Sequence, residues 1–315
     1  MRNLTKLDQM ARDKGIDLSV NLAGVTLKNP ITTASGTFSP HESSEFYDLS
    51  ELGAMITKGI ASTPWDGNPV PRIAETYGGM INAVGLQNPG VDYYIEHELP
   101  FARQFDTKVI ANVAGHSIVE YCDVVERLNE TDVDLLEVNI SCPNVKEGGI
   151  GFGTSCDMAA KVTREVKRIS KKPIIVKLSP NVTDIASIAQ SVEAEGADAV
   201  SLINTLMGMR IDVHRKRPVI ANKMGGFSGP AIKPVAVRMV YQVRRAVNIP
   251  IIGLGGIMTG EDVVEFLMAG ADAVSIGTAA FANPTAPVEI KRELIEYMER
   301  YGFKNIQEIR DAFTE

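Results

Sequence analysis

Eight short apolar runs, most of them followed by an amphipathic helical pattern, restrict the fold of this chain more than any other feature. The runs predict strands at residues 30–33, 54–57, 108–113, 134–140, 173–178, 197–203, 250–254 and 273–276. Amphipathic stretches between them predict helices at 118–128, 157–170, 185–195, 232–247 and 261–269. A β-hairpin is predicted before the first run, with strands at 18–20 and 25–27 around Ala23-Gly24. The chain therefore belongs to the α/β class.

Eight strands, most of them followed by a helix, are typical of a TIM (β/α)8 barrel. A doubly wound sheet is the alternative, but it usually has fewer strands and opens with a glycine-rich dinucleotide fingerprint, which the first predicted strand lacks. The length of 315 residues fits two average domains, yet a single α/β barrel also fills it. We expect one domain over residues 1–315.

Composition excludes several classes of function. Hydrophobic residues make up 44% of the chain and charged residues 23%, which is typical of a soluble globular protein. The net charge of -7 gives no long-range attraction to nucleic acid or to anionic membranes. The three cysteines, Cys122, Cys142 and Cys156, are too few and too scattered for a disulfide framework, a metal site or an iron–sulfur cluster. We expect a cytoplasmic protein without an export signal, a membrane span or a bound metal.

Three long connections follow predicted strands. Residues 59–107 and 204–229 are much longer than usual loops, and residues 143–155 are rich in glycine. In a barrel, connections that follow strands cover the C-terminal face, where active sites are built. The composition of 143–155 is suited to a mobile lid.

Glycine turns end the last two predicted strands, as Gly253-Leu-Gly255-Gly256 and Gly277-Thr278. Many barrels bind phosphate through backbone N–H groups in these two loops. Taken singly, each turn is explained equally well by a backbone conformation that requires glycine and by phosphate binding. Two such turns at these strands favour phosphate binding. The pattern does not distinguish a flavin from other phosphorylated ligands.

Charged and reactive side chains fall at the same predicted face. Lys177 interrupts an apolar strand, and Lys58 ends another. Taken alone, the side chain of Lys177 is expected to reach solvent. A bound cofactor that gains negative charge would instead favour a buried ammonium group. A lone thiol such as Cys142 is more often inert, yet its place at a strand end suits a nucleophile or a general base. Cys122 and Cys156 lie in helical patterns and are expected to pack. The basic run at 210–217 is expected to be a solvated loop.

Asparagines also gather at the strand ends or in the first long connection, and they are suited to a planar polar ligand. Singly, each is more often a turn former. They are Asn82, Asn112, Asn139, Asn144 and Asn204.

The motifs together resemble the dihydroorotate dehydrogenases from about the hairpin to Thr278. They are Asn29-Pro-Ile-Thr-Thr-Ala-Ser-Gly-Thr37, Thr57-Lys-Gly59, Gly67-Asn-Pro, Asn82-Ala-Val-Gly-Leu-Gln-Asn-Pro-Gly90, Asn139-Ile-Ser-Cys-Pro-Asn144 and Phe227-Ser-Gly-Pro230. The run that begins at Cys142, Cys-Pro-Asn-Val-Lys-x-Gly-Gly, resembles the class 1B, NAD-linked catalytic subunit more than the fumarate-linked class 1A enzyme.

The resemblance implies a TIM barrel with FMN at its C-terminal face. The residues implied to hold the cofactor are Ser35, Lys58, Gly59, Asn112, Asn139, Lys177, Ile203, Gly229, Gly255, Gly256, Gly277 and Thr278. Those implied to bind the substrate are Lys58, Asn82, Ala83, Val84, Gly85, Leu86, Asn139, Asn144, Asn204 and Thr205. Gly255, Gly256, Gly277 and Thr278 would hold the phosphate, and Lys177 would lie near the N1/O2 edge of the flavin.

The implied reaction is the oxidation of dihydroorotate to orotate in pyrimidine biosynthesis. Cys142 would take the C5 proton as general base while hydride passes from C6 to flavin N5. Since the chain has neither a Rossmann fingerprint nor cluster-binding cysteines, its electrons must leave through another molecule. In class 1B relatives this is a subunit with FAD and a [2Fe-2S] cluster that reduces NAD, and the family implies a homodimer of this chain within a heterotetramer.

Other functions stay open from sequence alone. The chain is also compatible with a fumarate-linked class 1A enzyme, or with a flavin-free phosphate-binding lyase or isomerase that uses Lys177 or Lys58. A further flavin relative is a barrel that reduces uracil-like rings to dihydropyrimidines, or one that reduces tRNA uridines. A non-catalytic barrel subunit fits less well, because the polar residues gather at one face.

Overall fold

The computed structural model of the protein describes residues 4–141 and 150–314. Its strands are β1 (Val20–Leu22), β2 (Val25–Leu27), β3 (Ile31–Thr33), β4 (Ala54–Ile56), β5 (Ile73–Thr76), β6 (Gly79–Asn82), β7 (Lys108–Val113), β8 (Leu135–Asn139), β9 (Ile174–Lys177), β10 (Ala199–Leu202), β11 (Leu206–Met209), β12 (Ile211–Asp212), β13 (Arg217–Pro218), β14 (Met224–Ser228), β15 (Ile251–Leu254) and β16 (Ala273–Ile276).

The helices are α1 (Lys6–Asp13), α2 (Pro40–Ser43), α3 (Val91–Tyr93), α4 (Leu99–Ala102), α5 (Ile118–Asn129), α6 (Ile150–Gly153), α7 (Cys156–Ile169), α8 (Ile185–Ala194), α9 (Lys233–Arg244), α10 (Gly260–Met268), α11 (Ala279–Ala282), α12 (Ala286–Tyr301) and α13 (Ile306–Asp311). Shorter turns of 3₁₀ or π type occur at Leu49–Glu51, Tyr94–Glu98 and Pro230–Ile232. None of the helices within the described ranges is both long and apolar enough to cross a membrane.

Eight parallel strands close into a barrel in the order β3-β4-β7-β8-β9-β10-β15-β16. All eight predicted strands and the TIM barrel are thus confirmed. Among the strands that start later than predicted are those that begin at Ile31, Ile174 and Ile251, each one residue late. In each case the predicted first residue is a proline, which has no N–H to donate to a neighbouring strand.

The N-terminal hairpin closes the bottom of the barrel. Leu22 and Leu27 are fully buried and pack against apolar residues of the barrel interior, among them Ile110, Leu135 and Ile175. The predicted first strand at 18–20 was placed too early, because β1 runs over Val20–Leu22. The turn residues Ala23 and Gly24 both have positive φ, as in the tight turns that join paired strands, so pairing starts directly at Leu22 and Val25.

The two longest connections form a second sheet at the C-terminal face of the barrel. β5 and β6 come from the first connection and β11 and β14 from the second, and they pair antiparallel in the order β11-β14-β6-β5. These strands were not predicted from the sequence. The pairing of Gly226 with Asn82 joins the two connections.

Candidate active site

The interior of the barrel changes from apolar to polar along several of its strands. Side chains two residues apart share a face, and the apolar inward residues Ile110, Leu135 and Ala199 are followed two residues later by Asn112, Glu137 and Ser201. All three polar residues are fully buried. On the opposite side, Thr32 and Ser275 are also buried and their hydroxyl oxygens lie 2.6 Å apart. A polar layer therefore separates the apolar lower barrel from the C-terminal face.

A pocket that is open to solvent at its mouth lies above this polar layer; its empty space of about 1150 Å³ includes solvent at the mouth. It is lined by residues from both predicted ligand sets. Of the predicted residues, the lining contains Ser35, Lys58, Asn82, Val84, Gly85, Leu86, Asn139, Lys177, Ile203, Asn204, Thr205, Gly255, Gly256, Gly277 and Thr278. The structure thus brings most of the predicted site residues to one cavity.

Four predicted residues lie behind this lining. Asn112 is fully buried, and its Oδ1 accepts a hydrogen bond of 3.4 Å from Asn139 Nδ2. A methyl group added to Gly59 would lie 3.0 Å from the same oxygen, and Ala83 is buried. The carbonyl oxygen of Gly229 lies 2.8 Å from the position of a Cβ added to Gly256, so Gly229 supports the glycine turn. Cys142 and Asn144 lie outside the described residues.

The glycine turns at β15 and β16 form one end of the pocket. Gly255 and Gly256 have φ angles of +131° and +80°, which residues with side chains rarely adopt. The surrounding walls are close, because a Cβ on Gly255 would lie 2.9 Å from Ala236 Cβ. Beside the turns, Thr278 Oγ1 donates a 2.8 Å hydrogen bond to Ser228 Oγ. Exposed backbone and hydroxyl groups in a small concave turn fit a phosphate group.

An ion pair forms the floor of the pocket. Lys177 Nζ lies 3.4 Å from Glu137 Oε2, with Lys177 4% exposed and Glu137 fully buried. The expectation that Lys177 alone would reach solvent is therefore wrong: a lysine in a barrel strand is surrounded by other strands, and here a carboxylate compensates its charge. Lys58 also lines the pocket and is half-buried. The pocket lining therefore includes two lysine side chains, one of which is paired with a buried carboxylate.

Amide and hydroxyl groups form a hydrogen-bonded cluster beside the lysines. Asn139 Oδ1 accepts from the hydroxyl of Ser141 at 3.0 Å, and that hydroxyl oxygen accepts from Asn204 Nδ2 at 2.9 Å. Asn204 Oδ1 also accepts from the backbone N–H of Thr205 at 2.7 Å. These contacts fix the side chains of β8 and of the segment after β10 in place. The set offers both donors and acceptors to a polar ring.

Several functional positions were missed by sequence reasoning. Glu137 accepts hydrogen bonds from Lys177 and from Ser201, and the alternation of inward residues would have placed Glu137 and Ser201 on the interior face. Ile73 and Phe281 line the pocket although both are more than half exposed. Ile73 belongs to β5, so its position depends on a sheet that the sequence did not predict.

The structure also describes the other charged and reactive residues singled out from the sequence. The basic residues Arg210, His214, Arg215, Lys216 and Arg217 are exposed. Cys122 lies in α5 and Cys156 in α7. Partial burial, together with the nearby carboxylates of Glu165 and Glu126, raises the pKa of the Cys122 thiol above its ordinary value. No group of His, Cys, Asp and Glu side chains suited to a metal occurs in residues 4–141 or 150–314.

Fold and site together define a barrel enzyme with a polar pocket at the C-terminal ends of its strands. The family model "Dihydroorotate dehydrogenase" matches residues 17–298. The chain belongs to the dihydroorotate dehydrogenase family, which is FMN-dependent.

Two relatives carry the name "Dihydroorotate dehydrogenase B (NAD(+)), catalytic subunit". The one from Alkaliphilus metalliredigens is 61% identical over 298 residues, which are 94% of this chain and 99% of the relative. The one from Lachnoclostridium phytofermentans is 61% identical over 295 residues, which are 93% of this chain and 98% of the relative. The crystal structure of DHODH from Eimeria tenella in complex with ferulenol has the same fold. Its TM-score is 0.77 at 23% identity, over 94% of this chain and 88% of that one.

The glycine turn gives the first testable prediction. Gly256→Ala places a methyl group 2.8 Å from Gly229 O and 2.9 Å from Lys233 N at a positive φ, so the turn must shift. Such strain costs roughly 1–3 kcal/mol. We expect the variant to bind FMN at least about tenfold more weakly, as measured by titrating the apoprotein with FMN and following flavin fluorescence.

The matched control is Gly208→Ala in β11. Its added methyl group would meet Phe227 Cβ at an ordinary 3.5 Å, outside the pocket lining. FMN affinity should stay unchanged in this control. Equal affinity of the wild type and the Gly256→Ala variant would show that the turn does not hold the cofactor.

Proposed function

We propose that this chain is the catalytic subunit of an NAD-linked dihydroorotate dehydrogenase of class 1B, which oxidises dihydroorotate to orotate in pyrimidine biosynthesis. The observation that carries the proposal is 61% identity over 94% of the chain to a relative of that name. The lining of the pocket supports the proposal. Its glycine turns suit the phosphate of FMN, and its lysines and amides suit the flavin ring and a substrate ring with a carboxylate.

The pocket residues fit FMN. Gly255, Gly256, Gly277 and Thr278 would hold its phosphate, and Ile203 would contact the ring system. When bound, FMN supplies the acceptor for the hydride that leaves C6 of dihydroorotate. Lys177 is held by Glu137 at the floor of the pocket, where an ammonium group stabilises negative charge on a bound cofactor.

The substrate would lie between Lys58 and the amides. Asn82 in β6 and Asn204 after β10 line the pocket from two different connections, so a ring bound between them contacts both. Lys58 would bind the substrate carboxylate by charge. Asn139 and Asn144 would complete the set of amides. The closely packed residues around the ring would exclude water from the reacting carbon atoms.

Cys142 is our candidate for the general base. The chain places it three residues after Asn139, in the motif Asn139-Ile-Ser-Cys-Pro-Asn144. Removal of the C5 proton, which lies beside a carbonyl group, needs a base within hydrogen-bond reach. The other two thiols lie in helices α5 and α7. We propose that Cys142 takes the proton while the chain holds the ring in place.

We further propose that the chain forms one domain and acts as a homodimer with a second kind of subunit. The relatives are named as catalytic subunits, which supports a partner. That partner would carry FAD and a [2Fe-2S] cluster and would pass electrons to NAD. The proposed site of action is the cytoplasm.

The base is tested by Cys142→Ser. A hydroxyl group is a much weaker base than a thiolate, so turnover near neutral pH should fall at least about 100-fold, while FMN and orotate still bind. Stopped-flow measurement of flavin reduction by dihydroorotate gives the rate, and orotate titration gives the affinity. Cys122→Ser, in helix α5, is the matched control and should reduce its flavin at the wild-type rate. A wild-type rate in Cys142→Ser would remove Cys142 from the mechanism.

The electron acceptor is tested by comparing the chain alone with the chain joined to the FAD and [2Fe-2S] subunit of its own source organism. We expect NAD reduction only by the complex, whereas an artificial dye accepts electrons from the chain alone and shows that it is active. Efficient reduction of fumarate by the chain alone would instead support the class 1A enzyme.

A further inference from the structure

Glu137 is a fully buried carboxylate in the middle of strand β8, one layer below the pocket. Its two oxygen atoms accept hydrogen bonds from three other barrel strands. Oε2 accepts from Asn112 Nδ2 in β7 and from Lys177 Nζ in β9, the latter at 3.4 Å. Oε1 accepts from Ser201 Oγ in β10 at 2.7 Å. A buried charge is tolerated only when it is compensated in this way.

The same contacts place Glu137 directly behind a residue of the pocket. Lys177 lines the pocket and is 4% exposed, so its ammonium group has lost most of its water. In the described part of the chain, Glu137 is the carboxylate paired with it. Far from the ion pair, the electric fields of the two charges cancel. A ligand above Lys177 lies closer to the ammonium group than to the carboxylate below it, so the field at the ligand is positive. The strength of the positive field in the pocket therefore depends on Glu137.

We propose that Glu137 is a positioning residue of the flavin site, which holds Lys177 from below and sets how strongly its ammonium group favours reduced over oxidised FMN. This inference rests on the proposed FMN site. Reduced FMN carries negative charge at its N1/O2 edge, whereas oxidised FMN does not, so Lys177 binds the reduced form better. The carboxylate of Glu137 weakens this preference by opposing the ammonium charge.

Glu137→Gln removes the charge and keeps the shape. The Gln oxygen can accept from Asn112 and Lys177, and its NH₂ group can donate to the hydroxyl of Ser201, which also accepts hydrogen bonds. The polar contacts are therefore retained, while Lys177 loses the opposing charge. Reduced FMN should become favoured over oxidised FMN by about tenfold relative to the wild type, which raises the midpoint potential of this two-electron couple by about 30 mV.

The experiment measures the midpoint potential of bound FMN by anaerobic titration against a reference dye, together with the affinity of the apoprotein for oxidised FMN. A merely structural role of Glu137 would weaken both redox forms equally and leave the potential unchanged. Thr32→Val is the matched control. Thr32 is a buried inward polar residue outside the pocket lining, so its substitution should leave the potential at the wild-type value.

Two further variants test whether the effect passes through Lys177. In a Lys177→Met background, Glu137→Gln acts on the flavin only through the direct field of the more distant carboxylate and no longer through the position of the ammonium group, so its shift should fall to about a third or less. Glu137→Asp keeps the charge at a greater distance from Nζ, so its potential should lie between those of the wild type and Glu137→Gln. This variant tests the proposal even where Glu137→Gln does not fold.

The outcomes separate this inference from the proposed function. An unchanged or lowered potential in Glu137→Gln, or an equal shift with and without Lys177, would overturn the role of Glu137 while FMN binding stands. A wild-type apoprotein that binds no FMN would instead overturn the proposed cofactor site itself.

Discussion

The site depends on the change from apolar to charged side chains inside the barrel. The apolar lower layer is sealed by Leu22 and Leu27 of the hairpin, and along β7, β8 and β10 it gives way within two residues to Asn112, Glu137 and Ser201. Lys177 lies at the boundary, and its charge is tolerated there because Glu137 compensates it. A barrel packed with apolar residues to its upper end would offer a ligand no charge. The ion pair thus connects the core, which stabilises the fold, with the pocket, which performs the chemistry.

The sheet β11-β14-β6-β5 completes the wall of the pocket above the barrel. Strands β6 and β14 pair across the C-terminal face and bring Asn82, from the first long connection, next to Gly226, from the second. The pocket therefore has a wall on the solvent side that the barrel strands cannot supply. Loops anchored in a sheet hold their side chains in fixed positions, which favours a site that must orient a ring against a cofactor.

Much of the fold follows from local patterns. The eight parallel strands could be predicted because each is a short apolar run buried on both faces, with turn residues around it. The sheet β11-β14-β6-β5 could not, because its strands are half-exposed, three of them contain glycine and methionine, and its central pair, β6 with β14, joins segments more than a hundred residues apart.

The features of the site can likewise be divided into those that local sequence patterns predict and those that depend on the fold. Glycine turns, lysines and asparagines at strand ends carry a local signal, whereas the pairing of Lys177 with Glu137 requires two strands to be neighbours. Lysine in isolation favours solvent, and only the closed barrel overrides that preference. Cys142 and Asn144, predicted from the motif, lie outside the described residues and stay predictions.

The most direct test of the account is the visible spectrum of the purified chain under anaerobic conditions, before and after addition of dihydroorotate. We expect a flavin absorbance band that bleaches on addition, because the same pocket would hold both the cofactor and the substrate. A flavin band that does not bleach, or a well-folded protein without flavin, would contradict the account.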